Sequence, residues 1–397
     1  MARSQVRLFV IAGEHSGDAL GGKLMAAINA RRKGSVRYLG VGGDAMEAQG
    51  LVSQFPLDDV AVMGPLAILK RLPRILRRVY QTVDAVIASE PDALVIIDSP
   101  EFTHPIAKRV RRRAPGIPII DYVSPSVWAW RPGRARKMRP YVDHLLALLP
   151  FEPEAHRALG GPDCTYVGHP LIERLDWIRG LDAAELAGRL GLTPGRPVLV
   201  VLPGSRSSEV ARLMRPFGEA VRILCAGPNP PEVLLPVVSA SRGTVEEALA
   251  HWPLRPHLVE GEEDRFKAFR LADAALAASG TVTLELALAG TPMAVAYVVD
   301  PVAAPFLRRL ITANTIVLAN LVLGRNAFPE LIQERCTGAL LAETLAPLLA
   351  DTPERQVQLQ ALREVPDRMA IAQSPSAAAA EIVLALAERG RVPDRPA

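Results

Sequence analysis

Short apolar or β-branched runs recur along the chain, each followed by a Gly-, Ser- or Pro-containing turn and then a stretch with helical periodicity. That alternation predicts a parallel sheet covered by helices. In the first half the runs Leu8–Ala12, Tyr38–Val41, Leu94–Asp98, Ile117–Tyr122, His144–Leu148 and Thr165–Val167 predict strands. In the second half Val198–Leu202, Glu232–Val238, His257–Val259, Ala274–Ala277 and Met293–Tyr297 do the same. Two successive doubly wound α/β domains fit this better than one enlarged sheet. The boundary is expected after Gly168-His169-Pro170, where a polar helical stretch leads to Thr193-Pro-Gly-Arg-Pro197. The expected domains are 1–170 and 171–365. The Ala-rich helical residues 366–397 are free to return to the first domain, ending in a frayed tail.

Composition narrows the class. A 49% hydrophobic content over 397 residues supplies a sizeable core and excludes wholesale disorder, while 5% aromatic content argues against a base-stacking surface. Cys164, Cys225 and Cys336 are far apart without CxxC spacing, the pattern of a reduced cytoplasmic protein. The apolar N-terminal run is strand-length and lacks a signal-peptide cleavage site. Ala274–Val299 is long enough for a membrane span, but Ser279-Gly280-Thr281, Glu285 and Gly290-Thr291-Pro292 divide it into shorter elements.

Ligands of open α/β sheets bind at the carboxyl ends of strands, and four such loops stand out. Gly13-Glu14-His15-Ser16-Gly17-Asp18 offers small residues and a helix start but is not GxGxxG, and no acid ends the second strand as a nicotinamide dinucleotide requires. Asp98-Ser-Pro-Glu-Phe102 places a carboxylate where it could take a proton from a substrate hydroxyl. Leu202-Pro-Gly204-Ser205-Arg206 combines a helix N-terminus with a guanidinium, as a pyrophosphate requires. Ser279-Gly280-Thr281 opens another helix, with Glu285 one turn on, placed to accept from two vicinal hydroxyls. Each also admits a plain structural role as a helix cap, a turn or a buried acid. Together they suggest a nucleotide on one side of a cleft and an acceptor on the other. The seven histidines are scattered and no Asp-x-Asp follows a strand, so no metal site is expected.

Residues 63–78 are amphipathic. Read as a helix, they place Ile68, Leu69, Leu72, Ile75 and Leu76 on one face and Lys70, Arg71, Arg74, Arg77 and Arg78 on the other, with Pro73 expected to kink or divide it. Residues 108–113 add five more basic positions. Residues 1–150 hold 22 basic and 13 acidic side chains, a net +9, against −5 for the remainder. An anionic membrane surface is the expected partner of the positive half, since no nucleic-acid-binding motif accompanies it; a core-packed helix with a solvated basic face is the alternative.

Over nearly its whole length the sequence resembles the lipid-A-disaccharide synthases. The resemblance runs through Ala12-Gly-Glu-His-Ser-Gly-Asp18, Gly40-Val-Gly-Gly43, Asp98–Phe102, Val123-Ser-Pro-Ser-Val-Trp-Ala-Trp-Arg131, Leu149-Pro-Phe-Glu-Pro153, Val167–Pro170, Leu202–Arg206, Ser279–Thr281 with Glu285, Asn320-Leu-Val-Leu-Gly-Arg325 and Pro329-Glu330. It departs at Tyr297-Val298, often Tyr-Arg in the family, and at Ala319-Asn320, often Pro-Asn. The resemblance implies a GT-B fold, no cofactor, and metal-independent, inverting transfer of 2,3-diacylglucosamine from UDP to the 6-hydroxyl of 2,3-diacylglucosamine 1-phosphate. It implies Asp98 as general base with Glu14 next in line, and Arg206 as pyrophosphate clamp. Glu14, Ser16 and Asp18 would line the acceptor side, and Gly204, Ser205, Ser279, Gly280, Thr281, Glu285, Asn320 and Arg325 the UDP side. Drawing an acyl chain into water would cost on the order of 10 kcal/mol, which gives the amphipathic segment a reason to dock on the cytoplasmic face of the inner membrane. A homodimer is left open. The competing readings are a soluble UDP-sugar epimerase or hydrolase of the same fold, and a non-catalytic sugar-nucleotide or lipid-binding protein.

Overall fold

The computed structural model describes residues 5–61, 65–252, 254–299 and 314–390, without the side chains of 65–70. Ile68, Leu69 and Lys70 therefore lie outside the described side chains. Two compact units emerge: the first runs to Pro170 and resumes at Ile371, and the second spans Leu171–Ala370.

The first unit is a six-stranded parallel sheet of β1 (Val6–Ala12), β2 (Val36–Val41), β3 (Ala93–Ile97), β4 (Ile119–Tyr122), β5 (His144–Ala147) and β6 (Asp163–Tyr166), ordered β2-β1-β3-β4-β5-β6. Alternation along β1 sends Leu8, Val10 and Ala12 to one face and Phe9 and Ile11 to the other, so each face has its own core. The first face is covered by helix His15–Arg32 and by the C-terminal helix Pro375–Arg389, which contributes Ala379, Ala380, Val383 and Leu384. That last helix starts cleanly because the Ser374 hydroxyl accepts from the Ala377 N–H and Pro375 occupies the first turn. Arg31 and Arg32 pair with Glu381 and Glu388 across the two helices.

The second face is covered in part by helix Pro65–Ser89, which runs continuously through Pro73. The expected division does not occur. Proline removes one backbone bond, and the burial of Val79, Val83 and Val86 in the core outweighs that loss.

The second unit repeats the plan with β7 (Val198–Leu202), β8 (Glu232–Pro236), β9 (His257–Val259), β10 (Ala274–Ala278), β11 (Met293–Tyr297) and β12 (Glu330–Ile332), ordered β12-β11-β10-β7-β8-β9. β12 is a three-residue edge strand absent from the sequence reading. In each sheet the strand order reverses once, between β1 and β3 in the first and between β7 and β10 in the second. These reversals open the crevices in which such sheets hold ligands.

Candidate functional site

All four loops singled out from the sequence sit at these two switch points. In the first unit, Gly13 follows β1 and packs directly against Ser99 after β3; a Cβ at Gly13 would come within 2.6 Å of the Ser99 Cβ. Only glycine allows the two loops to meet.

Asp98 and Ser99 both adopt left-handed backbone conformations, with φ of 51° and 46°, and Val123 at the end of neighbouring β4 has φ 95°. Positive φ is unusual for non-glycine residues and most unfavourable for a β-branched one; each such position costs about 1–3 kcal/mol and persists where the surroundings enforce it. Asp98 and Val123 line one cavity of about 260 Å³, together with Glu101, His104, Asp121 and Trp130. The Asp98 Oδ1 accepts from the Ser99 N–H at 2.8 Å, leaving Oδ2 without a partner among the described residues.

A buried relay lies behind it. His104 joins the Asp121 carboxylate (Nε2 to Oδ2, 3.1 Å) and the Tyr141 hydroxyl (Nδ1 to Oη, 3.0 Å). Desolvation pushes the Asp121 carboxyl up, the His104 contact pulls it down, and the Asp98 charge adds to the rise. With Asp121 ionised, Nε2–H donates to it and Nδ1 accepts the phenol proton, so the ring has one tautomer.

The loop 123–131 that closes the cavity is pinned from outside. Glu152 accepts from Trp128 Nε1 at 3.2 Å and from the Leu148 and Leu149 N–H groups at 3.1 and 2.9 Å. Desolvation pushes its carboxyl up to about 7 against these hydrogen bonds. The Ser124 hydroxyl lies 2.8 Å from His156 Nε2, and burial pushes that imidazole down to about 4.

Of the expected acceptor-side residues, Glu14 is half-buried at the start of helix His15–Arg32 and Ser16 is exposed on its first turn. Asp18 is different: its buried carboxylate accepts from the N–H groups of Gly43, Ala45 and Met46 at 2.7, 3.0 and 3.1 Å. It ties the segment that follows β2 to the first helix.

In the second unit one cavity of about 340 Å³ gathers Gly204, Ser205, Arg206, Ser279, Gly280, Thr281 and Glu285. Gly204 has φ 115°, and a Cβ there would lie 2.9 Å from the Glu209 carboxylate. Arg206 precedes helix Ser207–Cys225 and pairs with Glu209 at 3.0 Å, but its side chain is 69% exposed. An exposed pair of this kind is weak enough for the guanidinium to be drawn to an incoming phosphate. The Ser279 hydroxyl donates to the Ile316 carbonyl at 2.7 Å. Burial raises the Glu285 carboxyl above its ordinary range while Arg265, 3.2 Å away, opposes the rise. Arg265, missed in the sequence, lines the same cavity and keeps a buried Nε without a partner among the described residues.

Asn320 and Arg325 are not in that cavity. The Asn320 amide is internally satisfied: its oxygen accepts from the Ala327 and Phe328 N–H groups at 2.9 Å each, and its nitrogen donates to the Phe328 carbonyl at 2.9 Å. Arg325 forks onto Glu364 with two 2.8 Å bonds. In this arrangement the buried amide and the guanidinium fork are met by the nearest complementary groups.

On helix Pro65–Ser89, Leu72, Leu76 and Tyr80 form an i, i+4, i+8 stripe, 40%, 45% and 53% exposed. Ile75 instead packs against the core. Arg71 donates to the Asp58 carbonyl at 3.0 Å, and Arg74 pairs with Asp59 at 3.3 Å. No helix among the described residues is long and apolar enough to cross a membrane, and no three of their His, Cys, Asp or Glu side chains group as metal ligands.

The sequence profile of a family described as Lipid-A-disaccharide synthetase matches residues 8–383. A lipid-A-disaccharide synthase of Nitrobacter hamburgensis is 52% identical over 394 residues, covering 99% of this chain and 98% of the relative. One of Rhodospirillum centenum is 45% identical over 392 residues, covering 98% and 96%. Among solved structures, UDP-GlcNAc 2-epimerase from Neisseria meningitidis bound to UDP-GlcNAc aligns with a TM-score of 0.59 at 12% identity, over 96% of this chain and 98% of that one. Acinetobacter baumannii MurG aligns at 0.55 and 16% identity, over 97% and 99%. At such identities the structural likeness establishes the fold, two Rossmann-like halves of the GT-B kind.

Proposed function

Because the chain belongs to the lipid-A-disaccharide synthase family, whose members are glycosyltransferases, we propose that it transfers 2,3-diacylglucosamine from UDP to the 6-hydroxyl of 2,3-diacylglucosamine 1-phosphate. The observation that carries the reading is Asp98, held in a strained conformation at the first switch point, lining the cavity with one carboxylate oxygen unpaired among the described residues. Asp98 takes the hydroxyl proton as that oxygen attacks the anomeric carbon from the face opposite UDP. The bond to UDP breaks in the same displacement, which inverts the centre.

The departing charge resides on the β-phosphate. Arg206 and the N–H groups opening helices Ser207–Cys225 and Val282–Ala289 meet it, so the reading routes no step through a metal. Glu285 receives the ribose hydroxyls. Both substrates carry acyl chains, and the Leu72–Leu76–Tyr80 stripe on a unit rich in Lys and Arg suits docking on an anionic inner-membrane surface, on its cytoplasmic face.

Incubating the protein in detergent with UDP-2,3-diacylglucosamine and the diacylated 1-phosphate should yield UDP and disaccharide. UDP without disaccharide would instead indicate a hydrolase, and no product would overturn the reading.

A further inference from the structure

Beside the Asp98 cavity lies a second one of about 450 Å³ whose wall is dominated by cations: Lys108, Arg131, Arg134 and Lys137 line it, with buried His104 and Tyr141. Lys108 lies one turn beyond His104 on helix Pro100–Arg113, while Arg134 and Lys137 share a face of helix Gly133–Met138. Among the described residues Arg134 alone of the four pairs with a carboxylate, that of Glu101 at 3.0 Å. Lys108 and Arg131 meet only aromatic faces, those of Tyr141 and Trp130, at 5.1 and 4.3 Å from the ring centroids. Four like charges with one carboxylate among them repel one another, and an anion in their midst offsets that cost. The two cavities share Pro100, His104 and Arg134.

We propose that the basic cavity holds the phosphate monoester of the acceptor sugar while its primary hydroxyl lies at Asp98. The proposal rests on the transferase reading and adds to it the group that orients the acceptor. In a pyranose, C1 and C5 flank the ring oxygen, so a 1-phosphate and a 6-hydroxyl project from adjoining ends of one ring. Two cavities with a common wall suit that pair. The cations also offset the repulsion between a phosphate dianion and the Asp98 carboxylate.

The test is Lys108→Ala combined with Lys137→Ala, both exposed positions. The KM for the phosphorylated acceptor should rise at least about 10-fold, with kcat and the donor KM within about 2-fold. With diacylglucosamine lacking the phosphate, the variant and the parent should converge. An unchanged KM overturns the proposal, as does an equal loss with both acceptors. Loss of binding to phosphatidylglycerol vesicles at unchanged KM also overturns it, assigning the cations to lipid headgroups.

Binding followed through tryptophan fluorescence, with Trp130 in the wall of the Asp98 cavity, separates this from failure of the transferase reading because it needs no donor and no turnover. The 1-phosphate should tighten binding of the diacylated sugar at least about 10-fold in the parent and by less than about 2-fold in the variant. Equal binding of the two sugars to the parent overturns the phosphate assignment. Phosphate-dependent binding without transfer would uphold the cavity and overturn the reaction.

Discussion

The two switch points have the same topology and opposite backbone chemistry. Between β1 and β3 the positive-φ positions near the crevice are Asp98, Ser99 and, just after β4, Val123; between β7 and β10 they are Gly204 and Gly280. Glycine takes such conformations without a Cβ penalty and lets backbone N–H groups approach a phosphate. An aspartate there costs about 1–3 kcal/mol, so the strain is tolerated for the sake of the side chain. The first crevice is accordingly braced by the Asp121–His104–Tyr141 relay and by Glu152, whereas the second keeps Arg206 exposed. In the proposed reaction the first crevice supplies a held carboxylate and the second an open cradle for pyrophosphate.

The sharpest way to break this contrast is Asp98→Asn, which should lower turnover at least about 100-fold with donor affinity retained. Near-normal activity in a steady-state assay would move the base to Glu14. Gly204→Val adds strain and a collision with Glu209 in the cradle, and should raise the donor KM about 30-fold while the protein remains folded. A donor KM like the parent's would remove the cradle from the binding site. The stripe on the first unit is tested by Leu72→Glu with Leu76→Glu, expected to cut recovery on anionic vesicles about 10-fold. Unchanged recovery would mean that the stripe faces something other than lipid.

The smallest effect concerns the bracing of loop 123–131. Burial pushes His156 down to about 4, and desolvation pushes His169 there too, so their contribution to stability is full above pH 6.5 and is lost as pH falls toward 4. Glu152, raised to about 7, acts oppositely: it gains its proton earlier in the folded state, and stability rises as pH falls from 7 to 4.5. Glu152→Gln removes the opposing effect and should deepen the loss between pH 7 and 5 by on the order of 1–2 kcal/mol, read from urea midpoints. An identical pH dependence would show that Glu152 is not desolvated.

Eleven strands and the four loops at the switch points were legible because buried parallel strands read as unbroken apolar runs and end in small residues. β12 was not, since three residues at a sheet edge, one of them Glu330, give no such run. The helix around Pro73 was legible from its amphipathic pattern, but its continuity was not, because that rests on the core contacts of Val79, Val83 and Val86. The loop Val123–Arg131 was recognised as a motif without a role. Its part in the Asp98 cavity depends on Glu152 and His156, 24 and 32 residues from the side chains they hold.

The sequence by itself determined the repeated α/β plan, the family, the asymmetry of charge and which loops carry candidate chemistry. All of these are written in local periodicity and contiguous motifs. Only the tertiary structure decided which polar residues are already engaged: Asp18 by three backbone N–H groups, Asn320 by its own loop and Arg325 by Glu364. It also gathered Lys108, Arg131, Arg134 and Lys137 around one cavity. A hydrogen bond or an ion pair depends on distance in space, and only the folded chain brings such partners within reach of one another.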